Sequence, residues 1–441
     1  MKRTQLLNAL LITAIMLSTL ANVRAQETER PDVPGENVVF QWNRVLQATV
    51  ATPGQQPATI FAVRSFAMMH AAMFDAANSV EGVYAPYLIE VPGFTRSSQE
   101  AAAAKAARDV LVALYPTRVA IFDAELAISV AGIPSNRARQ GMMLGEKVAM
   151  EMLALRANDG WNATGPAYVL PTTPGNWQPT PPNLPAAQFT QFPTVLPFAI
   201  GASSRFTPNP PPALTSDEYA AALNEVKEIG SATSTTRTAD QTKVAQLWAG
   251  VNTTTSIFFT WNNVARTVAI SRNTTTLENA RLFALLNIAY HDGLQTTMTS
   301  KYLYGFWRPV TAIRRADEDN NPNTVADPNW LSLITNPPYP SYAGNHAMVG
   351  TSQATILGLF FGRDDIRFQH TWEGPGGMTR SYAGFNAMAN EEERARVYGG
   401  IHFTFDQVAG QSAGRNVANF VFQNLMTPRR CDFDSLLNAR K

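Results

Sequence analysis

Cysteine is nearly missing from this 441-residue chain. The one present is Cys431, so no disulfide can form within the molecule and stability has to come from the size of the core. Net charge is missing as well: 35 Lys and Arg stand against 34 Asp and Glu, a formal balance of +1. Such a chain lacks the broad positive field that nucleic-acid binding needs. After the start, no stretch is apolar enough to cross a bilayer. Sustained strand alternation and internal repeats are also wanting, which leaves an all-α class with long loops.

What is present begins with MKRTQLLNALLITAIMLSTLANVRAQ, a basic start, an apolar run and small residues at Val23 and Ala25. This reads as a secretory signal cleaved after Ala25, so export to a periplasmic or extracellular space is expected. Its removal takes away Lys2, Arg3 and Arg24 and moves the formal balance from +1 to −2.

Helical spacing then recurs. TIFAVRSFAMMHAAMFDAANSV, SQEAAAAKAARDVLVALYP and SNRARQGMMLGEKVAMEMLALRAND place apolar residues three and four apart among good helix formers. The segment 160–213 is irregular, with about a dozen prolines in its later part. Helices resume at LTSDEYAAALNEVKEIG, where Thr215 and Glu218 have capping-box spacing. Further helical patterns cover about 238–249, 256–271, 276–300, 346–361, 385–400 and 403–425. The expected organisation is a signal at 1–25, an N-terminal helical region at 26–170 and a proline-rich crossing at 171–213. A C-terminal helical bundle at 214–427 carries the site, followed by a tail at 428–441.

Three clusters carry chemistry. In KYLYGFWRPVTAIRR, Lys301 and Arg308 are seven apart, close to two helical turns, so both can project from one side of a helix that stops or kinks before Pro309. In NPPYPSYAGNHAMVGTSQATILGLF, Gly344, Asn345 and His346 fall at a helix N-terminus, where free amides and the helix dipole favour an anion and a histidine can exchange a proton. In RVYGGIHFTFDQVAG, His402 and Asp406 are four apart, so the carboxylate can accept Nδ1–H and leave Nε2 with a lone pair. Arg396 precedes them across two glycines that let backbone pass close to a bound group. Each cluster alone has a plain structural reading: a junction cap, or a surface His–Asp pair. Together, three cations, two histidines and a helix N-terminus point to a tetrahedral oxyanion.

Lys301-x6-Arg308-Pro309, the segment Pro340 to His346, and Arg396-x5-His402-x3-Asp406 resemble the signature shared by vanadium-dependent haloperoxidases and type-2 phosphatidic acid phosphatases. The likeness to the secreted bacterial haloperoxidase branch extends to WNRVLQATV, MMHAAMFDAAN and the LTSDEYAAALNEVKEIG helix. The resemblance implies helical bundles of the haloperoxidase and acid phosphatase type, with vanadate as cofactor. It implies that His402 Nε2 bonds the metal, or attacks phosphorus, with Asp406 orienting the ring. Lys301, Arg308 and Arg396 would neutralise the anion's oxygens, amides near Gly344 and Asn345 would donate to it, His346 would act as acid and base, and Asp292 would support the cations. Two serines of the pattern are replaced: Gly344-Asn345-His346 stands for Ser-Gly-His, which leaves Ser341 or Asn345 to supply the hydrogen bond, and Ala395 stands in the third motif. Met298 and Tyr339 differ from residues common in the family, so no halide is assigned.

The leading expectation is a vanadate-dependent haloperoxidase using hydrogen peroxide, halide and a small organic acceptor, with Lys301 polarising the peroxide. The alternatives are a vanadate-free acid phosphatase acting on phosphate esters through a phosphohistidine at His402, and a non-catalytic oxyanion-binding protein. A metal-dependent reading rests on the pair His291-Asp292 with His346, His402 and Asp406. His70 reads as a core histidine, and His370 as a loop residue.

Overall fold

The structure, a computed structural model, describes residues 36–55, 60–250, 259–372 and 378–429. Cys431 and the expected signal at 1–25 lie outside these. The compact unit that begins at Val38 opens with α1 (Val38–Ala51), α2 (Ala62–Glu81), α3 (Gln99–Leu114), α4 (Val119–Val130) and α5 (Ser135–Arg156). After the proline-rich crossing come α6 (Asp217–Ile229), α7 (Ala239–Leu247), α8 (Thr260–Ser271), α9 (Thr276–Tyr304) and the short α10 (Pro309–Arg314). The chain then continues through α11 (Asn345–Phe361), β1 (Phe368–Trp372), β2 (Met378–Tyr382), α12 (Phe385–Tyr398) and α13 (Thr404–Asn424).

The class is all-α with one addition. β1 and β2 form an antiparallel hairpin, Phe368 opposite Tyr382, and His370 lies on β1 and not in a loop. Phe368, His370 and Trp372 are buried and alternate with exposed Gln369 and Thr371. A five-residue strand with a histidine on its inner face is too short for its period to stand out in sequence.

α2 and α9 form the middle of the larger core. Nearly every residue of α2 is buried, and α9 is buried from Leu277 almost without break to Lys301. The start of α9 is marked by a different signal from apolar spacing, the Thr275–Glu278 capping box. At 29 residues it runs about 43 Å along its axis. α6 begins one residue later than its spacing suggested: Ser216, not Thr215, is the N-cap and accepts from the amide of Tyr219.

Two features aim the ends of these helices at one place. α13 lies directly on the first turn of α11, because a Cβ at Gly410 or Gly414 would sit 2.2 Å from Gly344 O or 2.4 Å from Met348 O. A smaller aromatic core contains Phe306, Trp307, Phe403 and Phe405, with the last two rings stacked 4.9 Å apart. Phe306 packs edge-on against both, at 5.9 and 5.6 Å. Burying each such side chain stabilises the fold by about 1.5–3 kcal/mol. The same contacts fix the backbone between Lys301 and Arg308 against the backbone around His402. The crossing is ordered and tied to this point, since Trp177 N donates to Gly305 O at 2.6 Å and Trp307 N donates to Gly175 O at 2.9 Å.

Candidate oxyanion site

Lys301 and Arg308 meet the same region, although not from one helix face. α9 stops at Tyr304, Gly305 caps it in the left-handed region (φ 58°), and Arg308 is the N-cap of α10, extended at φ −85° and ψ 156°. Proline at 309 excludes the α conformation for Arg308 and so turns the chain. The two cations converge on one ring: Lys301 Nζ lies 5.5 Å and the Arg308 guanidinium carbon 5.3 Å from the centre of Tyr339.

Both are fully buried, and Arg396 is 6% exposed. Lys301 Nζ donates to the carbonyls of Ser341 (2.7 Å) and Ala343 (2.5 Å). Arg308 donates from Nε to Tyr339 O and from Nη1 to Ile401 O, both at 2.9 Å. Arg396 donates from Nη1 to Trp248 O at 3.1 Å. Among the described residues none of the three pairs with a carboxylate, and Arg308 Nη2 and Arg396 Nε have no partner. Burial lowers both guanidinium groups to about 10, and burial followed by Arg308 drives Lys301 well below its ordinary value. Buried charge without a counter-charge is costly.

The histidine among these cations has a defined tautomer. Arg308 Nη1 lies 3.0 Å from His402 Nε2. A guanidinium can only donate, so Nε2 offers a lone pair and Nδ1 carries the proton. That proton is donated to Asp406 Oδ2 at 2.8 Å. The same oxygen accepts from Ser341 Oγ at 2.5 Å and from the amide of Phe403 at 3.0 Å. Burial, then Arg308, Lys301 and Arg396, hold the His402 ring well below its ordinary basicity, so it stays neutral. His402 sits two residues before α13, with Asp406 in the first turn.

His346, in the first turn of α11 behind Gly344 as N-cap, keeps 17% of its side chain exposed. Its Nδ1 is 3.0 Å from Glu392 Oε1. Asn345 turns its amide to Met298 Sδ at 3.6 Å, and its Oδ1 has no partner among the described residues.

Four expectations need correction. Gly344 N is engaged with Asp406 O at 2.8 Å, so that amide fastens α11 to α13 and is not free for an anion; the first-turn amide of Asn345 remains the candidate donor. Asp292 does not face the cations. Its carboxylate accepts from the amides of Phe198 (2.8 Å), Ala199 (2.7 Å) and Ile200 (3.1 Å) and from His291 Nδ1 (2.9 Å), so it anchors the crossing to α9. Gly399 and Gly400 give room to protein backbone and side chains: a Cβ at Gly400 would sit 2.2 Å from Gly230 O, and one at Gly399 2.5 Å from Ile334 Cδ1. Of the two candidates for the missing serine, Ser341 gives its hydroxyl to Asp406 Oδ2 at 2.5 Å and so braces the partner of His402, not an anion.

Among the described residues no group of three or more His, Cys, Asp or Glu is arranged to hold a metal ion, which removes support from the His291-Asp292 reading. His70 is a core histidine, its Nε2 2.9 Å from Asn43 Nδ2. Sequence reasoning missed Glu392 and the Trp261 indole that donates to it at 2.8 Å. Glu392 stands in the run EEER and reads as a solvated charge. The available signal was its place one helical turn before Arg396, which puts both on one face.

Residues 281–430 match the family model of the VCPO second helical-bundle domain. That span holds Lys301, Arg308, Ser341, His346, Glu392, Arg396, His402 and Asp406, while Trp248 and Trp261 precede it. Over that span the chain carries a helical-bundle domain similar to that of the vanadium chloroperoxidases. A vanadium chloroperoxidase of Curvularia inaequalis is 25% identical over 424 residues, covering 76% of this chain and 67% of that one. Among solved structures, a bacterial vanadium-dependent iodoperoxidase superposes with a TM-score of 0.74 at 21% identity, over 89% of this chain and 97% of that one. The holo form of a bacterial vanadium-dependent chloroperoxidase gives 0.71 at 15% identity, over 89% and 98%. Those structural likenesses establish the helical-bundle fold of the haloperoxidases.

Proposed function

We propose that this chain is a vanadate-dependent haloperoxidase that oxidises halide with hydrogen peroxide and so halogenates small organic acceptors. The observation that carries the reading is the unpaired positive charge: Lys301, Arg308 and Arg396 are buried with no carboxylate partner among the described residues, around the lone pair of His402 Nε2. A tetrahedral oxyanion fits that donor set. At an effective dielectric of about 20, each cation–anion contact at about 4 Å contributes on the order of 4 kcal/mol before desolvation.

His402 would ligate the metal through Nε2, with Asp406 and Ser341 fixing the ring. Arg308 and Arg396 would donate their unpartnered N–H groups to the anion's oxygens, and Lys301 would supply a point charge beside them. The chemistry a bound vanadate would supply is Lewis-acid activation of peroxide toward halide. His346, the more exposed imidazole, would take and return a proton at Nε2. The preorganised cations cost no reorganisation as negative charge develops.

The test is to load the purified protein with orthovanadate and follow bromination of a phenol-red-type dye with peroxide. Turnover that depends on vanadate supports the reading. Absence of turnover with chloride, bromide and iodide, together with vanadate-inhibited hydrolysis of an aryl phosphate, would assign the site to phosphatase chemistry. Vanadate affinity with neither activity would leave a binding protein. Export is proposed on the amino-terminal sequence alone, and mass spectrometry of the protein recovered outside the cytoplasm should show a chain starting at Gln26.

A further inference from the structure

The cationic cluster creates a difficulty for any base inside it. A His346 imidazolium would face Arg396 and Lys301, and burial together with those two charges holds the ring well below its ordinary basicity. A residue that has to accept a proton at Nε2 therefore needs to lose one elsewhere. Behind it stands a carboxylate built into the core. Glu392 is 2% exposed, its Oε1 is 3.0 Å from His346 Nδ1, and its Oε2 accepts from Trp261 Nε1 at 2.8 Å. Gly350, one turn beyond His346 on α11, leaves the space: a Cβ there would be 2.9 Å from Glu392 Oε2. Three elements, α8, α11 and α12, thus hold one acid against the far side of one imidazole.

We infer that Glu392 is the terminal proton acceptor for His346, a positioning residue that lets the ring relay a proton without becoming an imidazolium. When Nε2 takes a proton from the reacting side, the Nδ1–H bond breaks and that proton moves to Glu392 Oε1. The ring stays neutral and the carboxylate becomes a carboxylic acid. On the return step the acid gives its proton to Nδ1 and Nε2 releases the other. Burial raises Glu392 to about 8, against the lowering effects of the Trp261 hydrogen bond and Arg396, with Glu391 raising it and the Tyr290 phenol facing it from α9. The acceptor is thereby matched to near-neutral proton transfer, and its two states select the two tautomers of His346.

The inference rests on His346 being the proton-exchanging group of the proposed function, so it is tested first without cofactor. In full-length protein labelled with ¹⁵N-histidine, with the His346 signals assigned by His346→Gln, the ring nitrogens report the tautomer across pH. The expected result is a neutral ring throughout, Nε2–H below and Nδ1–H above a midpoint near 8, with Glu392→Gln abolishing the switch. Trp261→Phe keeps the carboxylate and should move the midpoint up, which decides the matter if the glutamine variant does not fold. Formation of an imidazolium by His346 near its ordinary value, or a tautomer indifferent to Glu392→Gln and Trp261→Phe, overturns the inference. With vanadate, Glu392→Gln should lower kcat for bromide oxidation by about tenfold or more, with KM for peroxide within about twofold. Unchanged kcat would also overturn it. Lack of turnover in the loaded wild type would count against the proposed function alone, because the tautomer measurement stands apart.

Discussion

Asp406 shows how much one side chain can decide. Its Oδ2 receives three donors, from His402, Ser341 and Phe403, and the demand for acceptors fixes the His402 tautomer. Asp406→Asn retains shape and, with its N–H₂ at the unpartnered Oδ1 position, one acceptor oxygen, but it removes the negative charge that holds the His402 proton on Nδ1. The ring is then expected to turn or to exchange its proton to Nε2, removing the lone pair. We expect orthovanadate affinity, read by calorimetry, to fall by about 10–100-fold, as for other partners that orient a ligating histidine. Ser341→Ala removes one neutral hydrogen bond and should cost about 1 kcal/mol, roughly fivefold in the same titration. Equal effects of the two variants would show that Asp406 does not set the tautomer. The His–Asp relation was legible because a four-residue spacing has one geometric meaning at a helix start. The part of Ser341 was half legible, and that of Glu392 was not, because its partners come from helices far away in sequence.

At the scale of elements, α9, α11 and α13 are placed by their ends. Gly305 reverses the chain after α9, and a Cβ there would take the left-handed region and meet Leu170 Cδ1 at 2.5 Å and Tyr168 Oη at 2.7 Å. Gly305→Ala should therefore destabilise by about 1–3 kcal/mol and loosen Arg308 relative to Lys301. A lowered urea midpoint with weakened vanadate binding checks it; an unchanged midpoint would mean that the turn is not constrained. Most long helices were legible from apolar spacing and capping residues, including α2, α3, α5, α11 and α13. Three kinds of feature were not. α10 is a single short helix that Arg308 and Pro309 begin, so the spacing of Lys301 and Arg308 over 301–308 mimicked one continuous helix. The β1–β2 hairpin is too short to show its period. The duty of Asp292 depends on the crossing at 198–200, which has no regular pattern to place it.

Across the whole molecule, the site is a store of unfavourable charge that the core must hold. His402 and His346 sit well below their ordinary values, so the unfolded chain takes up protons that the native state refuses. Their contribution to stability is present above about 6.5 and is lost as pH falls through that unfolded value. Glu392 works in the opposite sense: raised from 4.5 to about 8, it contributes stability below about 4.5 that is lost as pH rises through about 8. The stability of Glu392→Gln relative to wild type should consequently move in the variant's favour over that window, as followed by chemical denaturation. Binding of an oxyanion answers both problems at once, because it compensates the three cations. At about a hundredfold excess over Kd it should stabilise the fold by about 2.7 kcal/mol, a rise in melting temperature that Arg308→Ala would largely remove.

Calorimetric titration of the purified protein with orthovanadate examines the cradle most directly. One equivalent should bind per chain in the wild type, and His402→Ala and Arg308→Ala should each weaken that binding severely. Failure of the wild type to bind any tetrahedral oxyanion, with its core intact, would contradict the account.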